Sequence, residues 1–253
     1  MLRLISTNIR FENPDDGENN WPNRKPLMLE MFSQEDPCLI GTQEGRQPQL
    51  QNLNEGLERH NLIDQHREWI TERMYPCIFS SEEVKILESG DIWLSETPEI
   101  AGSKSFDSMF PRLCTWIKGQ KEAKEFYYFN LHLDHIKDST RLAQAQVLIH
   151  QIQSKFDQDI PLIIAGDFNQ CANSSLKEFI LERLPKLRDP YSEFNQEERT
   201  TYHKFSGENT DGCRIDWFLV DEKLKVQDCR ILDFNRNGSY PSDHFPVFCS
   251  IAL

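Results

Sequence analysis

The residues that could do chemistry sit at the ends of apolar runs. "IIAGDFNQ" (163–170) closes an aliphatic run with Gly166, then sets Asp167 and Asn169 one residue apart. "NLHLDH" (130–135) carries His132, Asp134 and His135, and "SDHFPV" (242–247) places Asp243 and His244 just before the last apolar run. The first run ends at Asn8, the second in Gln43 and Glu44, and "RIDW" sets Asp216 inside an otherwise apolar segment. Taken singly, each has a plain structural reading, because Asn and Asp at strand ends make turns. Asp216 is harder to dismiss: between Ile215 and Trp217, a buried carboxylate needs an arginine, a backbone donor or a histidine as partner.

As a set they have a chemical logic. Asn8, Glu44, Asp167, Asn169 and Asp243 are hard oxygen donors, the ligands of Mg²⁺ or Mn²⁺ rather than zinc. His132 and His244 titrate near neutrality. A cation site beside a histidine base is what hydrolysis of a phosphate ester requires. A buried Asp next to the histidine would fix its tautomer and stabilise the imidazolium.

These groups need a frame. Runs rich in β-branched and aromatic residues predict strands over 2–9, 38–44, 91–96, 113–119, 126–133, 160–168, 214–220, 226–234 and 245–253. Helical spacing predicts helices over 24–34, 139–156 and 175–184, the second capped by Ser139. Runs such as "IPLIIAG" are apolar at every position, as in strands covered on both faces. Helices follow strands early and late, and consecutive strands fill the middle. The pattern is a mixed α/β layered domain, not a doubly wound parallel sheet. Alternation along 160–168 places Asp167 and Asn169 on one side. No repeat or linker divides the chain, so residues 1–253 are expected to form one domain.

Composition narrows the choices. Of the 253 residues, 28 are Lys or Arg and 41 Asp or Glu, a net charge of −13. That balance argues against broad charge-driven nucleic-acid binding, although bound cations can reverse a local field. The seven cysteines are scattered and never spaced as CxxC, which predicts buried free thiols in a reducing cytoplasm, with no disulfide framework. "MLRLISTNI" already reads as a strand, so neither a signal peptide nor a membrane span is expected.

The ordered series "TNI … QE … NLHLDH … GDFN … RIDWFLV … SDHFPV" resembles the endonuclease/exonuclease/phosphatase superfamily over nearly the whole chain. The resemblance implies a four-layer α/β/β/α sandwich of two mixed sheets packed face to face with helices outside, and a metal-dependent hydrolase of phosphoester bonds. It implies that Asn8, Glu44 and Asp243 are metal-site residues and that Asp167 directs the attacking water. Asn169 would contact phosphate or metal. His244, oriented by Asp216, would be a general base or phosphate contact, and His132 a general acid or phosphate donor. The segments 8–25 and 89–119 resemble a small bacterial branch, in which Arg112 reads as a phosphate contact or a structural salt bridge. Glu72 is the candidate partner of His132, with Asp134 in support. Arg10, Arg24, Lys25 and Arg112 would make a phosphate-binding cluster if residues 21–25 fold over the pocket; otherwise Arg24 and Lys25 lie in solvent.

The expected substrate is phosphorylated: a small molecule, a lipid headgroup or a nucleic acid. A nuclease acting on DNA or RNA is the alternative activity, and an inactive binding module of the same fold the non-enzymatic one. No solvent-facing apolar segment suited to a membrane stands out, and no obligate protein partner is indicated.

Overall fold

The computed structural model describes residues 1–195, 197–208 and 212–253. One six-stranded sheet contains β1 (Leu2–Asn8), β2 (Leu39–Arg46), β3 (His60–Leu62), β4 (Met74–Ser81), β11 (Lys225–Ile231) and β12 (Val247–Ala252), in the order β11-β12-β1-β2-β4-β3. The other contains β5 (Lys85–Trp93), β6 (Leu113–Lys121), β7 (Lys124–His132), β8 (Leu162–Asp167), β9 (Leu187–Arg188) and β10 (Asp216–Asp221), in the order β5-β6-β7-β8-β10-β9. Each sheet is mixed, with one parallel pair: β1 with β2, and β7 with β8. Helices α1 (Trp21–Glu35) and α2 (Gln47–Gly56) belong with the first sheet, and α3 (Asp138–Lys155) and α4 (Ser175–Arg183) with the second; α5 (Tyr191–Phe194) is one turn.

Three apolar clusters make the layers. Leu2, Leu4, Leu39, Phe126, Tyr128, Ile163, Phe218 and Val247 fill the space between the sheets. Tyr127, Phe129, Ile164 and Trp217 face α3 and α4, while Ile5, Ile40, Phe79 and Phe248 face α1 and α2. This is the expected four-layer sandwich, and the period-2 alternation of the strands sorts the clusters.

That alternation also delivers the polar groups. Asn8 shares the parity of Leu2 and Leu4, and Asp167 that of Ile163 and Ala165. His132 shares the parity of Phe126 and Tyr128, and Asp216 that of Phe218 and Val220. The inner faces of four strands therefore end in polar residues at one end of the sandwich. Register aligns three of them, because His132 lies opposite Asp167 and Asp167 opposite Asp216. Deeper in, Gln43 Nε2 donates to Asn130 Oδ1 across the sheets at 2.6 Å, and Asn130 Nδ2 donates to the carbonyls of Thr42 and Cys77.

Several local expectations change. Ser139 does not cap α3; Asp134 accepts the backbone N–H groups of Ile136 and Lys137 just ahead of the helix. Arg24 is neither in solvent nor at the pocket. It is buried in α1, donating to the carbonyls of Asn19, Ile9, Pro241 and Arg10. Cys171 and Cys213 form a disulfide joining the segment after β8 to the segment before β10, which overturns the expectation of free thiols alone. The residues are 42 apart, so spacing gave no sign that their strands are neighbours. The other five cysteines are free and buried as expected. No helix among the described residues is long and apolar enough to cross a membrane.

Gly166 is fixed by close approach. Its φ is +144°, and a Cβ there would lie 2.0 Å from the Leu131 carbonyl oxygen on β7. Gly166→Ala is expected to cost about 3 kcal/mol or more in chemical denaturation, or to prevent folding. Replacing both Cys171 and Cys213 with Ser should cost about 2–4 kcal/mol by the same measurement, from the loop freed in the unfolded chain.

Candidate active site

The polar strand ends open into a cleft of about 540 Å³, whose lining includes Glu44, Arg112, His132, Asp167, Asn169, Asp243 and His244. Glu44 reaches it through a bulge. The pairing of β2 with β4 shifts register between Thr42 and Gly45, and Glu44 adopts φ +67°. A left-handed carboxylate residue is uncommon and strained, and such residues cluster at functional sites. Glu44 Oε2 accepts the Phe11 N–H at 3.3 Å.

Asp167 is the most enclosed carboxylate of the cleft. Asn8 Nδ2 donates to its Oδ2 at 3.0 Å and the Asn169 N–H to its Oδ1 at 2.8 Å. His132 Nε2 lies 3.5 Å from Oδ2. Burial raises its pKa to about 7, helped by repulsion from Asp216 and opposed by His244 and the hydrogen bonds from Asn8 and Asn169. Asn169 does face the cleft, but not by strand alternation. The strand stops at Asp167, and Asn169 turns back at φ +51° with its Nδ2 donating to the Leu133 carbonyl.

His244 and Asp216 form a buried pair, Nδ1 to Oδ2 at 2.8 Å. Burial disfavours the imidazolium, but Asp216, Asp167 and Asp243 outweigh it and raise the pKa to about 10. Asp167, Asp216 and His244 bring ligand-type atoms within 4.8 Å of one another. Asp243 is pushed above the usual carboxylate range by burial and by Glu44, against His244, Arg10 and Arg24.

Arg112 makes no salt bridge among the described residues. It is buried, with Nη1 at 3.0 and 3.1 Å from the two His132 ring nitrogens, Nη2 3.1 Å from His135 Nδ1, and Nε unpartnered. Burial and then Arg112 push His132 well below the ordinary histidine value, so it is neutral. Two histidines in one cleft are thus split, one cationic and one neutral.

Two expected site residues do not make the contacts foreseen for them. Glu72 does not partner His132; its side chain is 76% exposed at the rim, 3.4 Å from Arg46 Nη1. The irregular segment 63–73 has no periodicity from which its register could be read. Asp134 does not line the cleft. Its Oδ2 accepts the Met109 N–H and Ser108 Oγ, so it pins two loops together. Those loops expose Met109 (54%), Phe110 (40%) and Ile136 (52%), an apolar lip that scattered single residues did not announce. Sequence reasoning named His135 without giving it a role and missed Tyr202, Arg46 and Arg73 in the lining; Tyr202 joins His244 by an isolated β-bridge.

The sequence pattern of the Endonuclease/Exonuclease/phosphatase family matches residues 5–244. An uncharacterized protein of Acanthamoeba polyphaga mimivirus is 28% identical over 184 residues, 66% of this chain and 67% of that protein. A mannosyl-6-phosphatase of Bacteroides thetaiotaomicron superposes with a TM-score of 0.89 at 28% identity, covering 100% of both chains. D. rerio TDP2, solved with a single-strand DNA product, shares the fold at a TM-score of 0.77 and 19% identity, over 100% of this chain and 99% of its own. From Ile5 to His244, the strand ends that build the cleft lie inside the matched span, and the chain belongs to the endonuclease/exonuclease/phosphatase family.

Proposed function

We propose that this protein is a Mg²⁺- or Mn²⁺-dependent hydrolase of phosphoester bonds that acts on a small phosphorylated molecule. The observation that carries this reading is convergence: Glu44, Arg112, His132, Asp167, Asn169, Asp243 and His244, from both sheets, line one cleft. Members of the family hydrolyse phosphoesters, and the Bacteroides relative is named a mannosyl-6-phosphatase.

The donor set fits a divalent cation. Glu44 receives one backbone N–H, Asp243 has the Arg10 guanidinium only at 4.0 Å, and the two carboxylates repel each other. Hard oxygens with incompletely neutralised charge suit Mg²⁺ or Mn²⁺. Glu44 and Asp243 would hold the ion, with Asn8 beside them; its Oδ1 accepts the Arg10 N–H and keeps a second lone pair. A bound ion supplies neutralisation of phosphoryl charge and of the leaving oxygen.

The protein's own groups divide the remaining work. Asp167, with a pKa near the operating range, accepts the proton of the attacking water while Asn8 and the Asn169 N–H hold it in place. His244, kept cationic and oriented by Asp216, contacts a phosphoryl oxygen through Nε2. Arg112 binds the same phosphate and keeps His132 neutral, leaving His132 as a hydrogen-bonding contact. Asn169 contributes a further polar contact. The net charge of −13 weighs against a nuclease, and retention of the whole polar set weighs against an inactive binding module.

Glu44→Ala should lower kcat/KM on a phosphomonoester by about a thousandfold or more with an unchanged melting temperature in metal-free buffer. Activity surviving that change would overturn the assignment. A second expectation concerns pH. A group whose folded pKa is raised contributes stability below its unfolded pKa and loses it as pH climbs through the folded value. That window runs from 3.8 to about 7 for Asp167 and from 6.5 to about 10 for His244. Metal-free protein should therefore lose stability as pH rises through about 7. Because an ion held by Glu44 and Asp243 would offset the charge that Asp167 acquires in the same cleft, the gain in melting temperature from Mg²⁺ or Mn²⁺ should grow across the same range. A pH-independent gain, or one that persists in Glu44→Ala, would remove these residues as the metal site.

A further inference from the structure

Among the described residues, four arginines and no lysine line the cleft: Arg10, Arg46, Arg73 and Arg112. Two are already engaged. Arg10 is held to Asp16 by paired hydrogen bonds of 3.0 Å, and Arg112 is buried against His132 and His135. The other two are not. Arg73 makes no side-chain hydrogen bond or ion pair among the described residues. Among the described residues, the one ion pair of Arg46 is with the largely exposed Glu72 at 3.4 Å, and its Nε is buried without a hydrogen-bond partner. The Arg46 guanidinium lies 5.0 Å from the Phe11 ring centroid, which gives it a platform.

Both come from one place in the fold, where the end of β2 pairs with the start of β4. Arg112, His132, Asp167 and Asn169 come from the second sheet and its loops. Arg46 ends β2 opposite Met74 in the first sheet, and Arg73 immediately precedes that residue. Arg46 is two residues beyond Glu44, which along a strand is about 6–7 Å. That is the scale of the distance between two substituents on one small ring.

We propose that Arg46 and Arg73 form a second anion subsite, and that the substrate is a compact molecule with a second phosphate or carboxylate on the part that leaves. This rests on the phosphoester-hydrolase reading above. Arginine suits the role because its planar fork binds phosphate or carboxylate through two hydrogen bonds, and the buried, unpartnered Nε of Arg46 is a donor waiting for such an acceptor. A nucleic-acid strand fits less well, because a strand needs a continuing track of cations and the chain carries thirteen more acidic than basic side chains, 41 against 28.

The test pairs a hexose bisphosphate with the matched hexose monophosphate, in Mg²⁺, by calorimetric binding and by turnover. Wild type should bind the bisphosphate about tenfold more tightly. The double variant Arg46→Ala/Arg73→Ala should lose that preference through KM, with kcat on the monophosphate unchanged. Arg46→Lys/Arg73→Lys, which keeps the charge, should retain part of it and covers the case of an Ala variant that does not fold. Equal affinities in wild type, or a preference that survives the double Ala variant, would overturn the subsite. A phosphorylated oligonucleotide bound more tightly than the bisphosphate, with the same arginine dependence, would overturn the compact-substrate assignment. If neither hexose phosphate is hydrolysed but the arginine-dependent preference in binding holds, the hydrolase reading fails and the subsite stands.

Discussion

Asp167 holds a carboxylate where water scarcely reaches, at the seam between two sheets, with a second carboxylate on the neighbouring strand. Burying one charge beside another of the same sign is costly unless each is compensated. Asn8 supplies a donor from the opposite sheet, the Asn169 turn supplies a backbone N–H, and His244 supplies a positive charge held by Asp216. These contacts tie the two sheets together at the point where their inner faces turn polar. Gly166 lets β8 press against β7, and the His132–Asp167–Asp216 row follows from that packing.

The same crowding separates the titratable groups. His244 sees three carboxylates and becomes a strong base, while His132, buried and then set beside Arg112, becomes a weak one. Identical side chains from different sheets thus acquire different charge states from their surroundings alone, and this is how one cleft holds both a cation and a neutral donor–acceptor. Arg112 is central to the split: without a carboxylate partner of its own, it acts on the ring beside it.

Much of this was legible in the residue order because it follows from strand parity. A residue at the end of an inner-face alternation points into the seam, so Asn8, His132, Asp167 and Asp216 could be placed without coordinates. What was not legible depended on irregular backbone. The strand β4 went unseen because Pro76 interrupts it. Pro76 is tolerated because it lies between Tyr75 and Cys77, opposite the bulge that carries Glu44, where the ladder is already broken. The segment before it is positioned by the buried Arg67, which bonds Asp91 and Thr115 of the second sheet, and no local pattern encodes that contact. Asn169 was placed in the cleft for the wrong reason, since a left-handed turn, not alternation, directs it there.

The seam also joins residues far apart in the chain. Ser242 Oγ donates to the carbonyl of Asn8 across 234 positions, and β12 pairs directly with β1. During synthesis Asn8 emerges first of the site residues and Asp243 and His244 last. A ribosome-bound chain can form the helices and the second sheet's central strands early, since those contacts are nearer in sequence. It holds no complete cleft until β12 docks beside β1. The cleft is therefore completed only when distant parts of the chain meet, and a chain cut before Ser242 would be a sandwich with an open flank and an unfinished cleft.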